Sequence, residues 1–346
     1  AVAAGDAAGR YNQGGDATAV GIQAGETAQG AYATALGSAA GQTSQGVNST
    51  AVGRLAGQTS QSGGATAVGL FSGQTAQGTQ AVAMGYRAGQ TSQGSSATAV
   101  GDSAGQTSQG TQATAVGLQA GQTSQGTEAV AVGHDAGLSN QSSYATAVGN
   151  AAGATSQGIS AVAVGVSAGR YNQSNFAVAV GNGAGLSNQG IEAIAVGRLA
   201  GETSQGTSAT AVGHAAGATS QGDNAIAIGR NAGQISQGTG AMAVGYAAGY
   251  TSQGSYAIAE GYAAGYNNQH IYSIVLNASG AQLNTGAANS FYAKYLRSVN
   301  ATAMYYNSTS GEITYATSDD RLKVKETLIK DATTTLMKLS PQSYFK

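Results

Sequence analysis

Small apolar residues, glycines and polar residues alternate with one fixed period along most of the chain. From residue 1 to 272 the sequence divides into 17 units of 16 residues, without insertion or deletion. The unit 113–128 reads Ala-Thr-Ala-Val-Gly-Leu-Gln-Ala-Gly-Gln-Thr-Ser-Gln-Gly-Thr-Glu. Unit position 3 is always Ala, as at Ala19, Ala115 and Ala259. Positions 5 and 9 are always Gly, as at Gly117 and Gly121, and position 13 is always Gln, as at Gln13, Gln125 and Gln269. A count that never slips means that equivalent residues stack on one another in space.

Sixteen residues are too few for a helix pair, and several Gly per unit would each cost a helix about 1 kcal/mol. The pattern predicts an all-β fold, a parallel β-roll or solenoid with one coil per unit. Positions 1 to 4 read as a short extended segment of period 2. Positions 1 and 3, almost all Ala, share one face. Positions 2 and 4 share the other, with Val at position 4 in most units and Ala4, Leu36, Met84, Ile228 and Glu260 as exceptions. Gly at position 5 supplies a left-handed corner, and Gly at position 9 the next. Positions 10 to 13 form a second strand and 14 to 16 the return. At the usual strand spacing the rod is roughly 80 Å long.

One Val-sized residue, one Thr, Val or Ile and about three Ala per coil make a thin core. Small faces let another chain approach closely, so the expected assembly is a homotrimer with an axis lined by small or apolar side chains. The invariant Gln is expected to stack as an amide ladder.

Composition narrows the function classes. There are 55 Gly, one Pro and no Cys or Trp, and only 8% of residues are charged, against about 25% in ordinary globular chains. Without Cys there is neither a disulfide framework nor a thiolate metal site. A net charge of −1 gives no general field for nucleic acid, and no apolar run is long enough for a membrane-spanning helix. Low-complexity disorder would suit the composition but not the constant spacing. His134 and His214 occupy the same unit position five coils apart, too far to share a metal, and His270 is alone. No calcium-type repeat and no recurring carboxylate pair occurs, so the roll is expected to be non-enzymatic and to hold no cofactor.

The Ala-Thr-Ala-Val-Gly-x-x-Ala-Gly stretch resembles the Ser-Val-Ala-Ile-Gly-x-x-Ser/Ala repeat in the heads of trimeric autotransporter adhesins. That family implies a left-handed parallel β-roll in a tight trimer. The period differs, 16 residues here and about 14 there.

The period ends after Tyr272. Glu260 replaces the apolar residue of position 4 in the last unit, which reads as a cap or junction. Tyr246, Tyr250, Tyr256, Tyr262, Tyr266 and Tyr272 crowd the last two units. They suit either packing against the next segment or a receptor-binding, glycan-binding collar, for which Tyr246, Tyr250, Tyr256 and Tyr262 are the candidates. Residues 273–317 read as a β-rich connector, extended over Ser273–Asn277, turning at Ala278-Ser279-Gly280, with a hairpin of 303–306 and 312–315 around a Ser/Thr/Gly loop.

Residues 319–346 carry 10 of the 29 charged residues. Leu328, Ala332, Leu336 and Leu339 fall on one face of an amphipathic helix, stopped by Ser340-Pro341 and followed by a strand from Gln342. The chain starts at Ala1 without Met and stops at Lys346 as an element begins, so it reads as part of a longer protein.

One stretch could carry chemistry: Thr317-Ser318-Asp319-Asp320-Arg321-Leu322-Lys323. A Ser with a Lys five residues on can form a Ser–Lys dyad, although such a spacing alone is common. Ser-Asp-x-Arg-Leu-Lys, after a β-rich stalk and before an amphipathic helix, is similar to the opening of the endosialidase-type intramolecular chaperone domain of phage and large-virus fibres. The resemblance covers residues 318–346, the third domain after 1–272 and 273–317. It implies a domain that trimerises, templates the fibre and then cuts itself off at the Ser318–Asp319 bond, with Ser318 as nucleophile, Lys323 as base, and Arg321 and Asp319 orienting the loop. The corresponding expectation is a viral fibre or tail-spike protein on the virion surface, whose partners are its own copies and a host receptor or glycan. The alternatives are a bacterial adhesin head at the cell surface and an ice-binding roll. Thr occupies position 2 in only 8 of 17 units, too irregular for a flat Thr lattice.

Overall fold

The computed structural model describes residues 1–294, 304–306 and 313–315. Over 1–294 the chain is a parallel β-solenoid with one coil per 16-residue unit. The first strand of each coil covers unit positions 2 to 4. These strands form one sheet of 19, in which every neighbour is parallel and in register, as in Thr114↔Val130, Ala115↔Ala131 and Val116↔Val132. The second strand covers positions 11 to 13 and builds a sheet of 15. No helix among the described residues is long and apolar enough to cross a membrane.

The interior is narrower than the unit composition suggests. Ala at positions 1, 3 and 8 is fully buried in almost every coil, as at Ala113, Ala115 and Ala120. The Ala face of the first strand is therefore turned into the coil, not toward another chain. Val and Thr of positions 4 and 2 point outward. The physical reason is volume. The space between the two strands already holds the Gln side chain of position 13, which is among the largest fully buried groups, so only methyls fit opposite it. Where Ser replaces Ala inside, its hydroxyl donates to a carbonyl three residues earlier: Ser49 to Gly46 at 2.6 Å and Ser72 to Gly69 at 3.0 Å. No buried hydroxyl there is left without a partner.

The Gln column forms the expected ladder. In the eighth coil, Gln125 Nε2 donates to the carbonyls of Thr114 (2.8 Å) and Ala129 (3.2 Å) and to Gln141 Oε1 (3.2 Å). Its Oε1 accepts from Gln109 at 3.1 Å. An amide bonded in this way clamps both strands of its coil and the coil above. The ladder is open at two steps, Gln29 to Gln45 and Gln253 to Gln269, where the buried Oε1 of Gln45 and of Gln269 has no partner. Gln125→Leu keeps the bulk but removes the donors: the buried Gln141 Oε1 loses its one donor, while Gln109 Nε2 keeps its bonds to the Thr98 and Ala113 carbonyls. The expected cost is about 3 kcal/mol, read as roughly 100-fold faster amide exchange in the coils around residues 109–141.

The glycines act at the corners. Gly117 has φ of +127° and Gly121 of +51°. A Cβ on Gly117 would lie 2.6 Å from the Gly133 carbonyl oxygen of the next coil, and one on Gly121 would lie 2.7 Å from the Gln125 side-chain oxygen. Three further positions in every coil have left-handed angles without requiring Gly: 7, 12 and 16, as at Gln119, Ser124 and Glu128. Position 12 lies inside the second strand, so that strand is not the regular extended 10–13 segment the sequence implies. Pairing skips the left-handed residue, as in Thr123↔Ser139 and Gln125↔Gln141. This lets Thr123 and Ser124 both face out while Gln125 turns in.

The first sheet does not stop with the last strict repeat. Ile274–Asn277 pairs with Ile258–Gly261, and Phe291–Lys294 pairs with Ile274–Asn277, both parallel. The solenoid therefore runs to Lys294, past the boundary drawn at Tyr272. The expected strand at Ser273–Asn277 is present as Ile274–Asn277. Past the repeats, Asn277 Nδ2 donates to the carbonyls of Tyr262 (2.6 Å) and Ala281 (2.7 Å), an amide tie like that of the Gln column. A separate unit follows from Leu296. In it the expected hairpin is present, with Met304–Tyr306 antiparallel to Ile313–Tyr315.

Candidate functional sites

Two surfaces of the solenoid stand apart from the packed interior. The first is the outward face of the long sheet. Position 4 supplies Val116, Val132, Val148 and Val164 in successive coils, and position 2 supplies Thr114, Val130, Thr146 and Val162. All are partly or fully exposed. The rows continue through Ile274 and Leu276 and then Phe291, which is 52% exposed. Nineteen strands at about 4.8 Å give a stripe roughly 90 Å long, and two strand rises give a width of about 7 Å. That is an area of about 600 Å², the upper end of what a monomer leaves in water. Glu260 interrupts it between Val244 and Leu276. It does not cap the solenoid, since the sheet goes on beyond it.

The second surface is built from tyrosines in the last two repeats. Because the period is 16, equal unit positions place rings one coil apart. Tyr246 and Tyr262 at position 6 stack with centroids 5.1 Å apart and planes at 10°. Tyr250 and Tyr266 at position 10 stack at 4.8 Å and 9°. The two columns flank a cleft of about 300 Å³, with Ala247 and Ala263 between them and the amides of Asn231 and Gln282 at its ends. Gln282 is held there by the segment after the repeats. Gly265 N donates to the Leu283 carbonyl at 2.7 Å, Leu283 N to the Ala263 carbonyl at 3.2 Å, and Asn267 N to Asn284 Oδ1 at 2.9 Å.

Of the four tyrosines predicted as a collar, three therefore line one cleft. Tyr256 does not join them. It occupies position 16, on the return turn, and stacks on Tyr272 at 5.4 Å and 4°. Tyr266, outside the predicted four, takes its place. The signal was in the sequence, since Tyr250 and Tyr266 share a unit position.

A second amide column, which the repeat reading missed, follows position 10. Gln58, Gln74, Gln90, Gln106 and Gln122 each donate to the residue one coil earlier at 2.9–3.1 Å. It ends where Leu138 replaces Gln. The Tyr250 and Tyr266 column occupies this same position further along.

The histidines stand in separate places. His134 Nδ1 lies 3.0 Å from Asn150 Nδ2, His214 Nε2 lies 3.1 Å from an Arg198 guanidinium nitrogen, and His270 Nδ1 lies 2.9 Å from Thr285 Oγ1. Among the described residues no three His, Asp or Glu gather as metal ligands. Ser318, Asp319, Arg321 and Lys323 lie outside the described residues, as do the expected helix over 328–339 and the strand after Pro341. No protein-family profile, no curated protein and no solved structure matches the chain.

Proposed function

We propose that the chain is the shaft and head of a homotrimeric fibre or tail spike, projecting from a virion for attachment to a host surface. The observation that carries this reading is the outward stripe of Val, Thr, Ile, Leu and Phe that runs the length of the long sheet, broken at Glu260. Its length matches the whole solenoid, so one symmetric association covers all of it at once, with the same strand of each copy facing a common axis. The core supports the same reading. Three methyls and one amide per coil give each coil little apolar burial of its own, and closing the stripe adds about one Val-sized side chain per coil, worth roughly 1.5 kcal/mol if fully buried. The resemblance of the repeat to trimeric adhesin heads favours three copies over two. In such a trimer the three Glu260 carboxylates converge, and their repulsion makes that coil the weakest part of the interface.

A stack of near-identical coils can pair between chains one unit out of register at little cost per coil, and its interchain contacts form slowly. A C-terminal trimeriser sets the register once, which is the part the resemblance at 318–346 would play. Cutting at Ser318–Asp319 afterwards leaves a kinetically trapped fibre. When the chain is expressed with the remainder of such a domain, it is expected to run as two bands on a denaturing gel, and the Ser318→Ala variant as one. Two bands persisting in Ser318→Ala would exclude Ser318 as the nucleophile.

A further inference from the structure

We infer that the tyrosine cleft at the end of the repeats is a binding site for a neutral saccharide. The lining chemistry selects the class. The polar groups are phenols and primary amides, all uncharged, and each can both donate and accept a hydrogen bond. Sugar hydroxyls have the same dual capacity. Ring carbon of the four tyrosines supplies the apolar surface that the C–H groups of a pyranose need, while Ala247 and Ala263, each 2% exposed, close the bottom of the cleft. No carboxylate, Lys or Arg lines the cleft. The Arg230 guanidinium lies over the Tyr246 ring, 5.8 Å from its centroid, and is not among the lining groups. A volume of about 300 Å³ is at the small end of ligand sites, enough for a short saccharide and too little for a folded partner.

The site is also built before any ligand arrives. Both columns are braced by stacking, and the backbone next to Gln282 is tied to the last coil through Leu283. Such bracing lowers the ordering cost of binding. The cleft is peculiar to these coils. Elsewhere on the same turn, positions 6 and 10 hold pairs such as Leu118 with Gln122, His134 with Leu138, or Arg198 with Glu202. Only the last two repeats carry Tyr at both.

This inference rests on the attachment reading for its biological sense. The cleft is nevertheless formed within one chain, so binding and oligomeric state are measured separately. The experiment is saturation-transfer NMR on the 346-residue chain with maltotriose, chitotriose and lactose as neutral probes and sialyllactose as the anionic comparator. At least one neutral probe is expected to bind, and more tightly than sialyllactose. The Tyr250→Ala/Tyr266→Ala variant is expected to weaken it by about tenfold or more, while Tyr256→Ala on the other turn leaves it unchanged. Tyr266→Phe, which keeps the stack, is expected to weaken binding less than the double variant and guards against a folding defect. The inference is overturned if no neutral probe binds, if sialyllactose binds as well as the best of them, or if Tyr256→Ala weakens binding as much as the double variant. Retained binding by a chain of monomeric mass would leave this site standing and remove the trimer.

Discussion

A valine in place of Gly117 is expected to break the solenoid at its eighth coil. Two effects act together. The backbone angle of +127° is one that only Gly adopts without strain, worth about 1–3 kcal/mol. The added Cβ would also sit 2.6 Å from the Gly133 carbonyl oxygen and 2.8 Å from its carbon. Those atoms belong to the backbone of the next coil, whose own Gly133 packs against Gly149 in the same way, so the neighbour has nowhere to move. The combined loss exceeds about 5 kcal/mol, the range reserved for a broken backbone geometry. Each coil contacts only its neighbours, so the damage stays local. Amide exchange should become fast over roughly residues 97–144, while coils near either end keep their protection. Gly63→Ala is the control. Its Cβ would meet nothing closer than the Val47 carbonyl oxygen at 3.5 Å, and it is expected to be neutral. Unchanged protection in Gly117→Val would mean that the corners are not built this way.

The second large effect is on assembly. Replacing Val132, Val148 and Val164 together by Glu puts three carboxylates on successive coils of the outward stripe. In a single chain these side chains stand in water and cost little. In the proposed trimer each is an unpaired charge in a closed interface, at several kcal/mol apiece, which weakens association by about 10⁵-fold or more. The expected result is a monomer with an unchanged β-sheet circular dichroism spectrum. Glu in place of Thr123, on the other sheet, is expected to leave the assembly intact. A triple variant that still assembles would place the interface elsewhere.

Much of the coil was legible because its determinants recur 17 times. Gly at positions 5 and 9 marks corners that a Cβ would obstruct. The Gln of position 13 marks an amide column, because a polar group of that size is kept inside only where it can bond its own copies. The direction of the Ala face was not legible from alternation, which says that positions 1 and 3 lie opposite 2 and 4 but not which pair is inside. The volume of Gln125 against Ala115 decides that, and it needs both strands in view. The left-handed residue in the second strand left a partial trace, since position 12 is only Ser, Asn or Ala. Positions 7 and 16 left none. Phe71 and Phe176 have the same positive φ as their small counterparts, because hydrogen bonds to the adjacent coils, such as Phe176 N to the Ile159 carbonyl at 2.9 Å, outweigh a local preference of about 1 kcal/mol.

The extension past Tyr272 was hidden for a different reason. The step from Ile274 to Phe291 is 17 residues, and neither the corner Gly nor the column Gln is kept. The sheet persists because backbone pairing does not depend on those side chains once a template coil lies beneath. For the cleft, tyrosine crowding was visible in the sequence. Its division into two columns on one turn and a separate pair on the other follows only from assigning each Tyr its unit position.

In the proposed trimer the outward stripe is closed by two further copies of the chain. Sedimentation equilibrium on the 346-residue protein tests it directly. The expected particle has three times the 33.7 kDa chain mass and is stable on dilution. A particle of one chain mass, with the stripe left in water, would contradict it.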